Sequence, residues 1–192
     1  MARGLLRLLS IVLLLQAGAW AADIDVVSVE RDGDRYRVDM QVRLEADAVL
    51  ARDLMRDASR LPEINDNIVS AMVPADGHLH TVVEFCVTFF CRRVEQLQTV
   101  EAGKPATLKM TVLPESSDLK YGEATWDFRA LDADRSYMRF NAEIVPDFWV
   151  PPVIGPWLIR RKMLEQARVT AAGIEQVAAE LRSGPVGPDS AP

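Results

Sequence analysis

The two histidines are the side chains in this sequence best suited to hold a metal ion or move a proton near neutral pH. His78 and His80 stand two apart in a strand-like segment, so both point to one face. A metal site needs more ligands, and no carboxylate or thiolate stands at a spacing that would supply them. The motifs G-x-S-x-G and H-E-x-x-H and a phosphate-binding glycine loop are also missing from the sequence. We therefore predict no catalytic residues, no metal site and no cofactor, with the histidines at a solvated strand end.

The N-terminal segment indicates export. MARGLLRLLSIVLLLQAGAWA carries two arginines, then an apolar run, then small residues ending in Ala-Trp-Ala at Ala21. These are the three parts of a signal peptide with its cleavage site. The alternative is an uncleaved anchor in the inner membrane, but the run is shorter than the roughly 20 apolar residues that span a bilayer. The sequence predicts residues 1–21 to be a signal peptide, residues 22–182 to be one domain, and the protein to be periplasmic or secreted.

The overall charge argues against nucleic acid as a partner. The 192 residues include 28 acidic and 22 basic side chains, giving a net charge of −6. No basic tract offers a binding site for a phosphate backbone. The C-terminal segment SGPVGPDSAP, residues 183–192, has no apolar periodicity and is predicted to be a disordered tail. We expect the rest to be a monomeric globular domain.

Export changes how the two cysteines are interpreted. Cys86 and Cys91 lie in EFCVTFFCRRVEQL, with four residues between them. If Val87 to Phe90 form a hairpin turn, the cysteines face each other across paired strands, within disulfide reach. An oxidising compartment favours this disulfide over two free buried thiols. Zinc is disfavoured because it usually requires four ligands.

The segment PDFWVPPVIGPW, residues 146–157, is rigid and apolar. Its four prolines exclude an ordinary core helix or central strand. One interpretation is a plug, with Phe148, Trp149 and Val153 folded onto the end of the domain. The other is a lip that contacts a membrane or a partner, because aromatic side chains suit the headgroup level and Arg160, Arg161 and Lys162 follow. The residues predicted for this lip are Phe148, Trp149, Val150, Val153, Ile154 and Trp157, together with Phe89 and Phe90 at the hairpin tip.

The remaining pattern gives the order of elements. RYRVDMQVRL, residues 35–44, alternates apolar and polar side chains as a half-buried antiparallel strand does, and it follows a strand over Ile24 to Glu30. A helical period begins after Asp47, with Val49, Leu50, Leu54 and Met55 on one face, and a second short helix is predicted from Leu61 to about Ile68. Five strands follow, and then a helix of about 25 residues from Trp157. This order predicts an α+β fold, an antiparallel sheet of about seven strands with helices on one side.

The helix face that turns toward the sheet is rich in alanine. These small side chains would meet strand faces with large ones, which either leaves a cavity or fills a core. The periodicity does not choose between the two. The residues that would line the cavity are Met40, Met110, Trp126, Phe128, Met138 and Phe140 on the sheet and Leu164, Ala167 and Ala171 on the helix.

Three segments of the sequence carry motifs of one known superfamily. LMRDASRLPEINDNIVSAMV has an Asp followed by a Leu-Pro pair, at Asp57, Leu61 and Pro62. YGEATWDFRAL supplies a strand with Gly and Trp, and the last helix has Thr170 and an Ile-Glu pair at residues 174–175. In these motifs and in its order of elements, the chain resembles the START-like helix-grip superfamily (SRPBCC), which includes polyketide cyclase-like and coenzyme-Q-binding START-type proteins. The resemblance implies a curved sheet wrapped around the long helix, with an apolar tunnel between them, and therefore favours the cavity.

Three functions follow as hypotheses. The resemblance favours non-catalytic binding or transport of a hydrophobic small molecule, such as a lipid or an isoprenoid quinone, in the cell envelope, with possible peripheral membrane contact. A cyclase or aromatase enzyme in the same pocket is the second, and its candidate polar groups are Glu84, Arg92 and Asp127, although alternation places Asp127 outside. The third is an envelope protein-interaction module with a filled core.

Overall fold

The computed structural model describes residues 24–87, 90–150 and 155–183. The predicted signal peptide and C-terminal tail lie outside these residues, so both stay predictions. Eight strands and three α-helices form the described part. The strands are β1 (Ile24–Asp32), β2 (Arg35–Leu44), β3 (Ile68–Met72), β4 (Leu79–Val87), β5 (Phe90–Gly103), β6 (Thr107–Val112), β7 (Leu119–Ala130) and β8 (Ser136–Pro146). The helices are α1 (Ala48–Arg56), α2 (Leu61–Ile64) and α3 (Gly155–Ser183), with a short 3-10 helix at Pro114–Ser116.

All eight strands form one antiparallel sheet in the order β1-β2-β8-β7-β6-β5-β4-β3. Short connections join neighbours from β3 to β8, whereas the chain crosses from β2 to β3 through α1 and α2. The two edges of the sheet are therefore β1 and β3. This architecture confirms the predicted α+β fold with a long C-terminal helix and two short helices after the second strand.

The strand that the sequence prediction missed is β3. The sequence predicted α2 to continue to about Ile68, but the helix ends at Ile64, where Asn65 is extended. The Asn65 side chain accepts a hydrogen bond from the Asn67 backbone N–H, which turns the chain out of the helix. Ile68 and Val69 then enter a strand that pairs with β4. β-branched residues favour this conformation, so the sheet has eight strands where about seven were expected.

The N-terminus of α1 is capped as predicted, since Asp47 accepts hydrogen bonds from the backbone N–H groups of Val49 and Leu50. The predicted apolar face was partly wrong. Val49 is 46% exposed, and the buried face consists of Ala48, Ala51, Leu54 and Met55. Burial along α3 differs between its ends and its middle. Trp157 and Leu181 are exposed, whereas the middle of the helix is buried through Ala167, Ala171, Ile174, Val177 and Ala178.

The position of α3 decides where the core is filled. This helix packs against β1, β2, α1 and α2, whereas α1 packs against β6, β7 and β8. The arginine Arg52 of α1 donates to the Pro105 carbonyl, so α1 covers the end of the central strands near the β5–β6 turn. Within residues 24–87, 90–150 and 155–183, α1 is the one helix with more than marginal contact to these central strands. Within the described residues, none of the helices is both long and apolar enough to cross a bilayer.

Candidate functional site

The inner face of the sheet, which faces α3, is defined by strand alternation and register. Val38 of β2 is opposite Ala142 of β8, which is opposite Ala124 of β7 and then Met110 of β6. Side chains directly opposite each other in an antiparallel pair lie on the same face. In the next inner row, Met40, Phe140, Trp126 and Leu108 are aligned in the same way. The inner face is therefore apolar across its centre.

Part of this inner face is accessible to solvent. Five inner-face residues on β7 and β8 are only half-buried, although they point toward the helix layer: Ala124, Trp126, Phe140, Ala142 and Ile144. We call this set the hollow. Its two aromatic rings contact each other with centroids 4.8 Å apart. Two of its members, Ala124 and Ala142, have small side chains. Apolar side chains that face inward yet remain accessible are what a binding site for an apolar molecule requires.

The predicted pocket residues fall into two groups. Trp126 and Phe140 belong to the hollow, and Leu164 of α3 is also half-buried. The other six are buried in one continuous apolar cluster with α1 and α2: Met40, Met110, Phe128, Met138, Ala167 and Ala171. The structure therefore fills the half of the interior under α1 and the middle of α3. The accessible half lies toward the opposite end of β7 and β8.

The predicted lip lies at that same end of the sheet. Phe148 and Val150 are half-buried, whereas Trp149 is 79% exposed and Trp157 is 60% exposed. Phe148 is therefore partly covered and Trp149 is not, and the choice between plug and lip stays a prediction. Val153 and Ile154 and the Phe89 and Phe90 side chains lie outside the described residues.

The structure contains the β4–β5 hairpin, which was predicted to hold the second part of the lip. Cys86 is paired opposite Cys91 in the β4–β5 ladder, and the two are joined in a disulfide. Arg92 follows directly and places its guanidinium 4.1 Å from the ring centroid of Phe148. The β4–β5 hairpin and the segment after β8 therefore meet. We call this region, formed by Tyr36, Arg92, Phe148 and Val150, the mouth.

The polar residues named as enzymatic candidates are not brought together. Glu84 accepts a hydrogen bond from Arg93 at 2.9 Å, not from Arg92, and this pair lies on the outer face. Arg92 is opposite Phe85 on the inner face. Asp127 is exposed on the outer face, as alternation predicted. Glu84 therefore pairs with Arg93 and not with Arg92, because neighbours in a strand point to opposite faces.

No metal centre emerges from the described residues. His78 lies 3.5 Å from Asp76 and His80 lies 3.9 Å from Glu95, so the two histidines have separate carboxylate neighbours. Among the residues that the structure describes, one set of side chains has its ligand atoms close enough together to hold a metal ion: Glu84 and the two cysteines. Both cysteine sulfurs are already in the disulfide, and a disulfide sulfur is not the thiolate that binds metal ions.

Four buried polar side-chain atoms lack a hydrogen-bond partner in the described part of the chain: Tyr36 Oη, Arg92 Nε, Ser136 Oγ and Gln166 Nε2. Two of them, on Tyr36 and Arg92, belong to the mouth. Buried polar groups are normally paired, so each unpaired one requires an explanation. The sequence pattern placed Tyr36 on the inner face but could not show that its hydroxyl lacks a partner, and it gave no signal for Gln166.

Two surface depressions accompany this arrangement. One, of about 430 Å³, lies beside the mouth and is lined by Tyr36, Lys120 and the segment 146–150, with Arg31 and Asp34. The other, of about 410 Å³, is on the outer face and is bordered by charged residues that include Glu30, Arg37, Asp39, Glu123 and Glu143. The charged one does not suit an apolar ligand. The depression beside the mouth combines aromatic and charged side chains at the end where the hollow is accessible.

Solved structures with the same fold support this assignment of elements. A START superfamily protein from Mycobacterium smegmatis aligns with a TM-score of 0.61 at 18% identity, over 76% of this chain and 98% of that one. The Zhui aromatase/cyclase from Streptomyces sp. R1128 aligns with a TM-score of 0.60 at 13% identity, over 80% and 98% of the two chains. A protein from Thermus thermophilus aligns with a TM-score of 0.60 at 16% identity, over 77% and 99%.

No protein-family model matches the sequence, and no curated protein matches it either. The similarity is thus carried by structure at identities too low to carry an activity. The predicted START-like, helix-grip fold is confirmed by these alignments.

Proposed function

We propose that this protein binds a hydrophobic small molecule, such as a lipid or an isoprenoid quinone, in the hollow and does not transform it. The observation that carries the proposal is the half-buried apolar surface of Ala124, Trp126, Phe140, Ala142 and Ile144 on the inner face. Covering this surface with an apolar ligand is favourable at about 25 cal/mol per Å² removed from water. A ligand would thereby complete the interior that α3, packed against β1 and β2, leaves accessible.

Binding without catalysis is supported by the polar residues. A general acid or base must reach the reacting atoms. Glu84 is paired with Arg93 on the outer face, and Asp127 is exposed there too. Neither carboxylate points into the hollow, so the cyclase or aromatase hypothesis loses the acidic groups that it relied on.

The exposed tryptophans support delivery at a membrane surface. Trp149 and Trp157 flank the mouth, and the Arg161 guanidinium lies 5.6 Å from the Trp157 ring centroid. Tryptophan favours the headgroup level, and arginine favours anionic lipids. Together with the signal peptide predicted from the sequence, these residues support a carrier in the cell envelope that takes up or releases its ligand through the mouth.

The test is ligand binding by the hollow itself. Native mass spectrometry of the purified protein identifies any apolar molecule that co-purifies, and titration with a fluorescent fatty acid and with a quinone measures saturable binding. We expect Ala142→Phe to fill the hollow and remove binding while the thermal transition is retained. Ala172→Phe, at an exposed position of α3, is the matched control and leaves binding intact. Wild-type protein that binds neither probe and carries no apolar molecule would overturn the proposal.

A further inference from the structure

Arg92 is an inward-facing cation on a largely apolar surface. It occupies the inner face of β5 in alternation with Val94, which is 3% exposed, and Gln98, which is 7% exposed. Across the ladder it is opposite Phe85, and its guanidinium lies over the Phe148 ring at 4.1 Å. An aromatic face attracts a cation but supplies no hydrogen-bond acceptor in the plane of the guanidinium. The buried Nε–H of Arg92 therefore still lacks an acceptor.

The described residues do not supply an anion for this charge. None of their ion pairs includes Arg92, and its Nε is buried without a hydrogen-bond partner. Glu84, the nearest carboxylate in sequence, is held by Arg93. A charged group removed from water without a counter-ion raises the free energy of the folded protein.

Other nearby carboxylates have partners of their own. Asp118 accepts a hydrogen bond from the Glu95 backbone N–H at 2.9 Å, and Asp147 pairs with Lys120 at 3.3 Å. Glu95 is exposed on the outer face, next to His80. None of these three carboxylates pairs with Arg92 among the described residues.

We propose that Arg92 binds the anionic head group of an amphiphilic ligand, a carboxylate or a phosphate on an apolar chain. The tail of this ligand occupies the hollow, so the inference rests on the proposed function and specifies its ligand class. Arginine is suited to the task because its planar guanidinium makes two parallel hydrogen bonds to a carboxylate or phosphate. Phe148 supports the guanidinium from one face, and the Cys86–Cys91 disulfide fixes the strand from which Arg92 projects.

The first test needs no variant. Dodecanoate, dodecyl phosphate and dodecanol are titrated as monomers into the wild-type protein by competition with a fluorescent apolar probe. We expect one or both anionic compounds to bind about tenfold or more tightly than the alcohol, the factor typical of a charge-assisted hydrogen bond. We also expect this preference to shrink at high salt. The two anionic arms distinguish a carboxylate head from a phosphate head.

The second test removes the cation. Arg92→Gln is expected to bring the affinities for the anionic compounds down to that for dodecanol, and Arg92→Lys is expected to retain part of the preference. Arg93→Gln is the matched control, because the adjacent arginine is 65% exposed and paired on the outer face.

The outcomes separate this inference from the proposed function. Equal binding of the anionic compounds and the alcohol by wild-type protein overturns the role of Arg92, and so does a preference that persists in Arg92→Gln. Absence of saturable binding by all three compounds overturns the proposed function itself, and the assignment of Arg92 with it. If Arg92→Gln does not fold, the wild-type comparison still decides the matter.

Discussion

The backbone of Ile64 lies directly against Gly173, at the point where α2 meets α3. A β-carbon placed on residue 173 would lie 2.0 Å from the Ile64 carbonyl oxygen and 2.7 Å from the Ile64 Cα. Only glycine permits this approach, because backbone atoms cannot move aside as a flexible side chain can. This contact fixes how closely α2 approaches α3, and so it helps to set the distance between the helices and the sheet.

Gly173→Ala is expected to destabilise the protein by about 2 kcal/mol or more, because α3 must move away from α2. In an unobstructed helix the same change would stabilise by about 1 kcal/mol, so the sign of the effect is diagnostic. Urea denaturation measures it. Gly103→Ala is the control, since its β-carbon would make an ordinary contact of 3.5 Å with Thr107. A stabilised Gly173→Ala variant would contradict the close approach.

Asn65→Ala is expected to cost about 2 kcal/mol of unfolding free energy. The buried Asn65 amide donates to Gln166 Oε1 at 2.7 Å and to Thr170 Oγ1 at 2.9 Å, and its loss leaves these α3 groups without a partner. The same contact orients Gln166 in the middle of the helix. Gln176→Ala removes an exposed contact to Glu180 on the same helix and should change stability by less than about 0.5 kcal/mol. Equal effects of the two substitutions would argue against the α2–α3 link.

Removal of the Cys86–Cys91 disulfide should lower stability by about 2 kcal/mol, the chain-entropy estimate for so short a loop. The double variant Cys86→Ala, Cys91→Ala tests this by chemical denaturation. Mass spectrometry of the wild-type protein, alkylated under denaturing conditions without reductant, should find no alkylated cysteine. Labelling of both thiols would show that the disulfide does not form in the isolated protein.

Glu175 introduces a pH dependence. Burial raises the pKa of this carboxyl above its ordinary value, although the hydrogen bond from the Glu45 backbone N–H acts in the opposite direction. A carboxyl with a raised pKa in the folded state contributes stability that is present below its unfolded pKa and is lost as the pH rises through its folded pKa. The neutral variant Glu175→Gln does not lose this stability as the pH rises. The unfolding free energy of the variant, minus that of the wild type, should therefore increase as the pH rises from below 4.5 toward 7. A difference between the two proteins that stays constant with pH would contradict this prediction.

The exposed tryptophans beside the mouth should govern membrane binding. Replacing Trp149 and Trp157 with serine is expected to reduce flotation with anionic liposomes several-fold without lowering the thermal transition, since both side chains are mainly exposed. Leu131→Ser is the matched control, because this exposed leucine lies at the opposite end of β7. Flotation that is unaffected by the double substitution would remove the membrane from the proposal and leave binding in the hollow untouched.

Local sequence patterns predicted most of the fold. The strict alternation in residues 35–44 identified β2, and Asp47 marked the start of α1 where its carboxylate caps the helix. Cys86 and Cys91 were predicted to face each other if a hairpin turn joins them, and the structure contains that pairing. These features depend on neighbours within a few residues, so a single sequence records them. The pattern failed where local signals competed. At Ile68, the end of the helix predicted from Leu61 overlaps the start of a β-branched strand.

The sequence by itself determined the alternation of faces along strands such as residues 35–44, and that Asp127 lies on the opposite face from Trp126 and Phe128. Only the tertiary structure decided that Glu84 pairs with Arg93, that Arg92 lies over Phe148, and that α3 packs against β1 and β2 so that part of the inner face stays accessible. The physical reason is one of range. Alternation follows from the geometry of the backbone at each residue, whereas these contacts join segments distant in sequence, and their geometry depends on how all the elements pack together.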